Sequence, residues 1–300
     1  MRMPNAWDRL ARWRDQATGE EGDLWHRALI DPAVRKLVGR VRRQKVLEVG
    51  CGNGYLARSL AAAGAAAVTG VDASTASVRF ARARERARPQ GVRFEAGDAA
   101  RLRFADGSFD LVVANMSLMD IRDARRAISE AARVLAPAGR LVFSICHPCF
   151  DVDERTSWSI ERGFDPRTGT FQDTVFRKVH GYRHERRIRT PWPVGSGRVV
   201  RTDSYHRTLT TYSRYLWEAG LVITRLEEPS PRAEMLSKSV QGPYLLEIPL
   251  HLVVEAVRRP GLTRASRTRV RSPRAGVPRS GSRGRTSGSG SARRGSRRGS

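Results

Sequence analysis

The sequence predicts an α/β fold: a doubly wound, seven-stranded, mostly parallel sheet with a cap insertion and a disordered basic tail. Three observations carry that reading. Short apolar runs alternate with amphipathic helical stretches from Lys45 to Cys146, the pattern of a parallel sheet. The first of these runs passes through three closely spaced glycines, Gly50, Gly52 and Gly54, into a helix. Residues 258–300 hold 14 arginines, no acid and almost nothing large and apolar. Such a segment buries too little surface to offset its chain entropy.

The elements follow in order. Residues 1–44 read as a helical cap, in which Asp31-Pro32 suits an N-cap followed by proline at the first helical position. Val34, Leu37, Val38 and Val41 then recur at helical spacing. The α/β core is expected over 45–149. Its strands are Lys45 to Val49, Ala67 to Asp72, Val92 to Glu95, Phe109 to Asn115 and Arg140 to Cys146. Gly64 suits the end of the first crossover helix, and Ser74 the cap of the second, which stops before Pro89. The arginines of that second helix, from Arg79 to Arg88, read as a solvated face. Asp110 reads as structural. Residues 150–207 lose periodicity and are rich in aromatics, arginine, proline and glycine. A structureless loop of that length is unusual, so a lid or cap subdomain is expected. The core resumes over 208–257 with a helix from Leu209 to Ala219 and strands Leu221 to Leu226 and Pro249 to Val257.

Composition narrows the function. With 300 residues and 40% hydrophobic content, a sizeable core is expected. Cys51, Cys146 and Cys149 cannot build a disulfide framework, and a cytoplasmic, reducing setting suits them. Met1 to Leu10 contain no apolar stretch of the secretory type, and no apolar run is long enough to span a bilayer. Net charge is +25, with the tail contributing more than half. A polyanion-binding arm is one reading of that tail, and an arginine-biased extension without a specific partner is the favoured one. No aromatic side chain interleaves the arginines to stack on bases.

The stretch Val46 to Leu56 describes a ligand held at the carboxyl end of a strand by a tight glycine turn. Its spacing is G-x-G-x-G. A dinucleotide fingerprint needs a third glycine at position 55, where Tyr55 stands, so a cofactor other than NAD is favoured. Asp72 ends the second strand, where a carboxylate accepts hydrogen bonds from ribose hydroxyls. An aspartate at a strand end is also a common turn residue.

Glu48-Val49-Gly50-Cys51-Gly52-Asn53-Gly54 resembles the first motif, E/D-x-G-x-G-x-G, of the class I S-adenosylmethionine-dependent methyltransferases. Gly97-Asp98-Ala99, Phe109 to Asn115 and Ala132 to Leu141 resemble later motifs of that family, in the family's order. Ala138 departs from it where glycine is usual. The resemblance spans about residues 24–257 and implies the Rossmann-like methyltransferase fold with S-adenosylmethionine as cofactor. It implies cofactor contacts from Glu48, Gly50, Cys51, Gly52, Gly54 and Ala73, with Asp72 at the ribose, and adenine contacts from Asp98 and Ala99. Asn115, Met116 and Ser117 would lie beside the methionine part.

Cys146-His147-Pro148-Cys149-Phe150 and Tyr205-His206-Arg207-Thr208-Leu209 together resemble a bacterial small-molecule branch related to the quinone-pathway methyltransferases. His147 is the candidate general base, with a pocket wall or a turn-fixing histidine as alternatives. Trp25, Tyr205 and His206 are candidate acceptor-pocket residues; Trp25 equally suits the core, and the other two suit a hinge. The Cys146-x-x-Cys149 pair lacks a partner pair for zinc and reads as pocket lining, so no metal is expected. The expected activity is methylation of a small molecule. An RNA methyltransferase steered by the tail and a non-catalytic binder of the cofactor are the alternatives. Neither the acceptor nor the oligomeric state is legible.

Overall fold

The computed structural model describes residues 5–151 and 153–259. Helix α1 (Ala6–Thr18) begins at a reciprocal cap in which the Asn5 side chain accepts from the Asp8 N–H and Asp8 accepts from the Asn5 N–H. A π-type turn, His26–Ile30, runs straight into α2 (Asp31–Val38). Asp31 is therefore inside the helix rather than its cap, and its carboxyl group turns inward.

Seven strands form the main sheet: β1 (Lys45–Val49), β2 (Ala67–Asp72), β3 (Val92–Ala96), β4 (Phe109–Asn115), β5 (Leu135–Cys146), β10 (Leu221–Glu227) and β11 (His251–Arg258). Their order is β10-β11-β5-β4-β1-β2-β3, with β11 antiparallel to both neighbours and the rest parallel. The chain leaves β1 toward β3 and then returns to β4 on the other side of β1. The crevice opens at that reversal, beyond the carboxyl ends of β1 and β4. Residues of β1 alternate between two cores. Val46 packs with Leu56, Leu60 and Val34 on one face, and Leu47 packs with Val112, Ile128 and Phe143 on the other. The last strand starts at His251, so Pro249 lies outside the ladder.

Helices α3 (Tyr55–Ala62), α4 (Thr75–Ala87), α5 (Ala124–Val134) and α6 (Leu209–Glu218) supply the crossovers, and α7 (Ala233–Lys238) precedes β11. The arginines of α4 are not simply a solvated face. Arg82 donates twice to the Phe94 carbonyl, at 2.9 and 2.7 Å, and Arg84 pairs with Asp15 and Glu20 of the N-terminal segment. Asp110 accepts from the Lys45 N–H at 2.8 Å and so ties β4 to the start of β1.

The aperiodic stretch folds as two antiparallel hairpins, β6 (Thr156–Asp165) with β7 (Thr170–Val179) and β8 (Arg186–Pro193) with β9 (Val199–His206). The expected tail start at 258 is two residues early. Arg258 belongs to β11, and the Arg259 N–H donates to the Gly220 carbonyl at 2.9 Å while its guanidinium lies over Trp217. The rest of the tail lies outside the described residues.

Candidate functional site

A cleft of about 890 Å³ opens over the carboxyl ends of β1, β2, β3 and β4. The glycine turn forms one wall. The Gly50 N–H donates to the Val71 carbonyl at 2.7 Å, and the Gly52 N–H to Asp72 Oδ2 at 2.8 Å. Gly52 has φ +55°, and a Cβ there would meet nothing within 4 Å, because the space it would enter is the cleft itself. Gly54 differs. It caps α3 with φ +78°, a Cβ would strike Phe94 at 2.3 Å, and it does not line the cleft. Its role is close packing of helix on sheet, which corrects its placement among cofactor contacts.

Glu48 lines the cleft from β1 and is buried. Burial pushes its carboxyl up to about 8, against one bond from the Ala57 N–H and with the Asp31 and Asp72 charges adding to the rise. Its Oε2 is buried without a hydrogen-bond partner. Asp72 Oδ1 accepts from the Ser74 N–H at 2.7 Å, so the turn bonds orient the carboxylate while it lines the cleft. Burial raises its pKa, and the two backbone N–H groups hold it down. Asp98 accepts from the Ala100 N–H at 2.8 Å, and Ala73, Cys51, Asp98 and Ala99 all line the cleft.

Asn115 and Met116 complete the floor. Ser144 Oγ donates to Asn115 Oδ1 at 2.6 Å and accepts from the Met116 N–H at 2.8 Å. Asn115 Nδ2 lies 2.9 Å from Asp31 Oδ1 and 3.0 Å from the Tyr55 hydroxyl. Met116 is held at φ +49°, a costly conformation for a residue with a side chain.

The acceptor side is built differently from the expectation. His147 is buried, stacks on Phe150 and does not line the cleft. Its Nδ1 accepts from the Cys149 N–H at 3.2 Å, which leaves Nε2 to donate to Glu228 Oε1 at 3.1 Å. Burial lowers its pKa, against the Glu228 carboxylate. It fixes the turn after β5, and the residue that faces the cleft there is Cys146. Tyr205 and His206 also stand outside the cleft. Tyr205 lies under the Arg207 guanidinium, and His206 Nε2 bonds the Tyr182 carbonyl at 2.6 Å. Trp25 does line the cleft, while also packing against the core, with its ring 5.7 Å from His251.

The positions facing the cleft instead are Trp7 and Arg14 of α1, Thr190 and Trp192 of β8, Ser204 of β9, His251, and Met119 and Asp120 of the turn after β4. Trp192 sits 6.3 Å from Trp7 and 5.9 Å from Trp13, with Arg14 over its ring and its Nε1 donating to Thr202 Oγ1 at 2.8 Å. Nothing periodic marks these residues. Only the aromatic enrichment of the aperiodic stretch hints at Trp192.

The fold and cleft define an α/β nucleoside-binding protein of the Rossmann-like kind. Residues 47–143 match the model of a methyltransferase domain. Demethylmenaquinone methyltransferase of Renibacterium salmoninarum is 36% identical over 127 residues, 42% of this chain and 49% of that protein. The 27-O-demethylrifamycin SV methyltransferase of Amycolatopsis mediterranei is 36% identical over 152 residues, 45% of this chain and 54% of that protein. The chain thus spans about half the length of the curated relatives it matches. Among solved structures, an S-adenosylmethionine-dependent methyltransferase of Mesorhizobium loti superposes with a TM-score of 0.58 at 27% identity, covering 76% of this chain and 96% of that one. Residues 47–143 are thus similar to a methyltransferase domain, and the fold around them is similar to that of the class I S-adenosylmethionine-dependent methyltransferases.

The residues present fit that family's cofactor. The open face of Gly52, the Asp72 carboxylate and the buried, unpartnered Oε2 of Glu48 together offer a cradle for a nucleoside bearing a cationic chain.

Proposed function

We propose that the protein transfers a methyl group from S-adenosylmethionine to a small-molecule acceptor. The observation that carries this is the shared cleft: Gly52, Asp72, Asp98 and Asn115 line it at the strand ends, while Trp7, Trp192 and Ser204 line its other side. In this reading Asp72 accepts from the ribose hydroxyls, the Asp98–Ala99 turn meets the base, and Glu48, Asn115 and Met116 border the methionine part. The bound cofactor supplies a methyl group already activated by the sulfonium charge. The tasks left to the chain are alignment of the acceptor and exclusion of water. Helix α1 and the β8–β9 hairpin serve as the cover, with the Trp7–Trp192 contact closing the cleft between them.

The relatives' names support a small, non-polymeric acceptor, since they name demethylmenaquinone and 27-O-demethylrifamycin SV. The three free cysteines suit work in the cytoplasm.

Titration calorimetry with S-adenosylmethionine and its demethylated product tests the cofactor half of the proposal, followed by transfer of labelled methyl groups to small acceptors. Binding of both nucleosides is expected. A full-length chain that binds neither sinks the reading.

A further inference from the structure

We propose that Asp120 is the general base for the acceptor, and that the acceptor is a planar, largely apolar molecule whose methylated atom is an ionisable hydroxyl oxygen. This rests on the transfer reading above and assigns its acceptor side.

Asp120 ends the short 3₁₀ turn Leu118–Asp120 that follows β4, four residues beyond Met116 of the floor. It lines the cleft between that floor and the covering residues Ser204 and Trp192. Four of the other five acids of the cleft are committed. Asp15 pairs with Arg84, and Asp23 with Arg14 and His26. Asp72 and Asp98 hold turn N–H groups beyond β2 and β3, and Glu48 lies on the glycine-loop side. Among the described residues Asp120 has no ion-pair partner within 4 Å, and the Ser204 hydroxyl hydrogen-bonds to it. Its turn is pinned from outside by the buried Arg207, which donates to the carbonyls of Ile121 at 2.7 Å and Arg122 at 2.9 Å. Arg207 is thus a positioning residue.

The charged groups around Asp120 come from every packed element: Arg14 of α1, Asp72 of β2, Cys146 of β5, Arg207 after β9 and Tyr212 of α6. Burial pushes the carboxyl up to about 7, opposed by the Ser204 bond and by Arg14 and Arg207, with Asp72 adding to the rise. A base poised near neutrality is best matched to its task. The histidines serve less well. His26 Nδ1 is engaged by Asp23 at 2.8 Å, and burial drives His251 down to about 3, too weak a base for a hydroxyl. The shape of the acceptor follows from Trp7, Trp192, Met119 and Ile121, which offer apolar and ring surface around Asp120.

In the step, the acceptor hydroxyl gives its proton to an Asp120 oxygen as the hydroxyl oxygen's electron pair forms the bond to the methyl carbon. The carbon–sulfur bond breaks with its pair remaining on sulfur, and Asp120 later returns the proton to solvent.

The test uses the full chain with 2-naphthol, whose hydroxyl holds its proton at neutral pH, and 4-nitrophenol, which ionises unaided near neutrality. Asp120→Asn is expected to slow 2-naphthol methylation by about 10²- to 10⁴-fold and 4-nitrophenol methylation by less than about 10-fold. S-Adenosylmethionine affinity should be unchanged, and Asp120→Glu should recover part of the 2-naphthol rate. A second readout needs no turnover: with S-adenosylhomocysteine saturating, 2-naphthol binding to the parent chain, followed by calorimetry, should tighten as pH rises through neutrality. Equal losses on both phenols overturn the base assignment, as does pH-independent 2-naphthol binding, which keeps the proposal testable if Asp120→Asn does not fold. A chain that binds S-adenosylmethionine yet methylates neither phenol overturns the acceptor class alone. A chain that does not bind S-adenosylmethionine overturns the transfer reading and this assignment with it.

Discussion

Tyr55 donates its hydroxyl proton to Asp31 Oδ1 across 3.0 Å, joining the helix after the glycine turn to the N-terminal cap. Tyr55 occupies the position where a dinucleotide-binding loop would place its third glycine. In this chain the side chain lines the cleft and meets Asn115 as well, at 3.0 Å. The Tyr55 phenol is pushed well above its ordinary range by burial and by the Asp31 charge, so it remains a donor.

Tyr55→Phe removes that donor and leaves Asp31 Oδ1 with Asn115 alone, while Asp31 Oδ2 is already buried without a partner. The expected loss of folding stability is about 1–3 kcal/mol, read from urea denaturation midpoints. A variant as stable as the parent would show that the contact contributes nothing net.

Gly52 and Gly54 separate two uses of glycine in one loop. Gly54→Ala places a methyl group against the Phe94 ring at a positive φ, and should cost about 3 kcal/mol or more of stability. Gly52→Ala meets no atom, so its stability cost is about 1–2 kcal/mol from the left-handed backbone alone. Its methyl group enters the cleft, and S-adenosylmethionine affinity should fall by roughly tenfold or more. Thermal melts and calorimetry on the two variants check the crossover. Equal affinities in both would place the cofactor elsewhere.

The sheet was legible because its strands are apolar runs bounded by glycine, proline and aspartate, and such patterns are local. The same locality let Asp72, Asp98, Asn115 and Met116 be assigned to strand ends, where they line the cleft. Asp31 misled because Asp-Pro is a good helix start. The π-type turn before it extends the helix backward, so its carboxyl group turns inward instead of capping. His147 misled by one residue, since successive side chains at a strand end face opposite ways and Cys146 takes the cleft. Asp120, Trp192 and Ser204 come together only through the hairpin β8–β9, whose position depends on long-range contacts with α1 and the turn after β4. No periodicity encodes those.

The raised Glu48 carboxyl makes the free protein's stability fall with pH. Glu48 stays protonated in the fold up to about 8, whereas an unfolded chain ionises it near the ordinary carboxylate value of 4.5. Its contribution is therefore fully present below that ordinary value and is lost as pH rises through the folded one. The slope approaches about 1.4 kcal/mol per pH unit in that window. Glu48→Gln, neutral at every pH, should flatten this part of the curve and be the more stable chain in mildly alkaline buffer. Urea midpoints taken from acidic to alkaline pH decide it. Identical slopes in parent and variant would mean that Glu48 ionises normally inside the fold.

Asp72→Asn tests the sugar contact with little change of volume. In the parent, Oδ2 accepts from the Gly52 N–H and Oδ1 from the Ser74 N–H, and each oxygen keeps a lone pair directed away from those bonds. The amide retains one acceptor oxygen and loses the charge, so one backbone N–H loses its partner and the ribose loses a charged acceptor. Hydrogen bonds to a charged group contribute about 1.5–3 kcal/mol, so S-adenosylmethionine affinity should drop by roughly 10- to 100-fold. The sign with pH is also determined. Burial raises the Asp72 pKa, so cofactor affinity in the parent should weaken as pH falls through that raised value, and the weakening should be absent in the amide variant. Calorimetric titrations of both chains at neutral and acidic pH give the comparison. An Asp72→Asn chain that binds as tightly as the parent would remove the ribose contact from the proposed site while leaving the fold untouched.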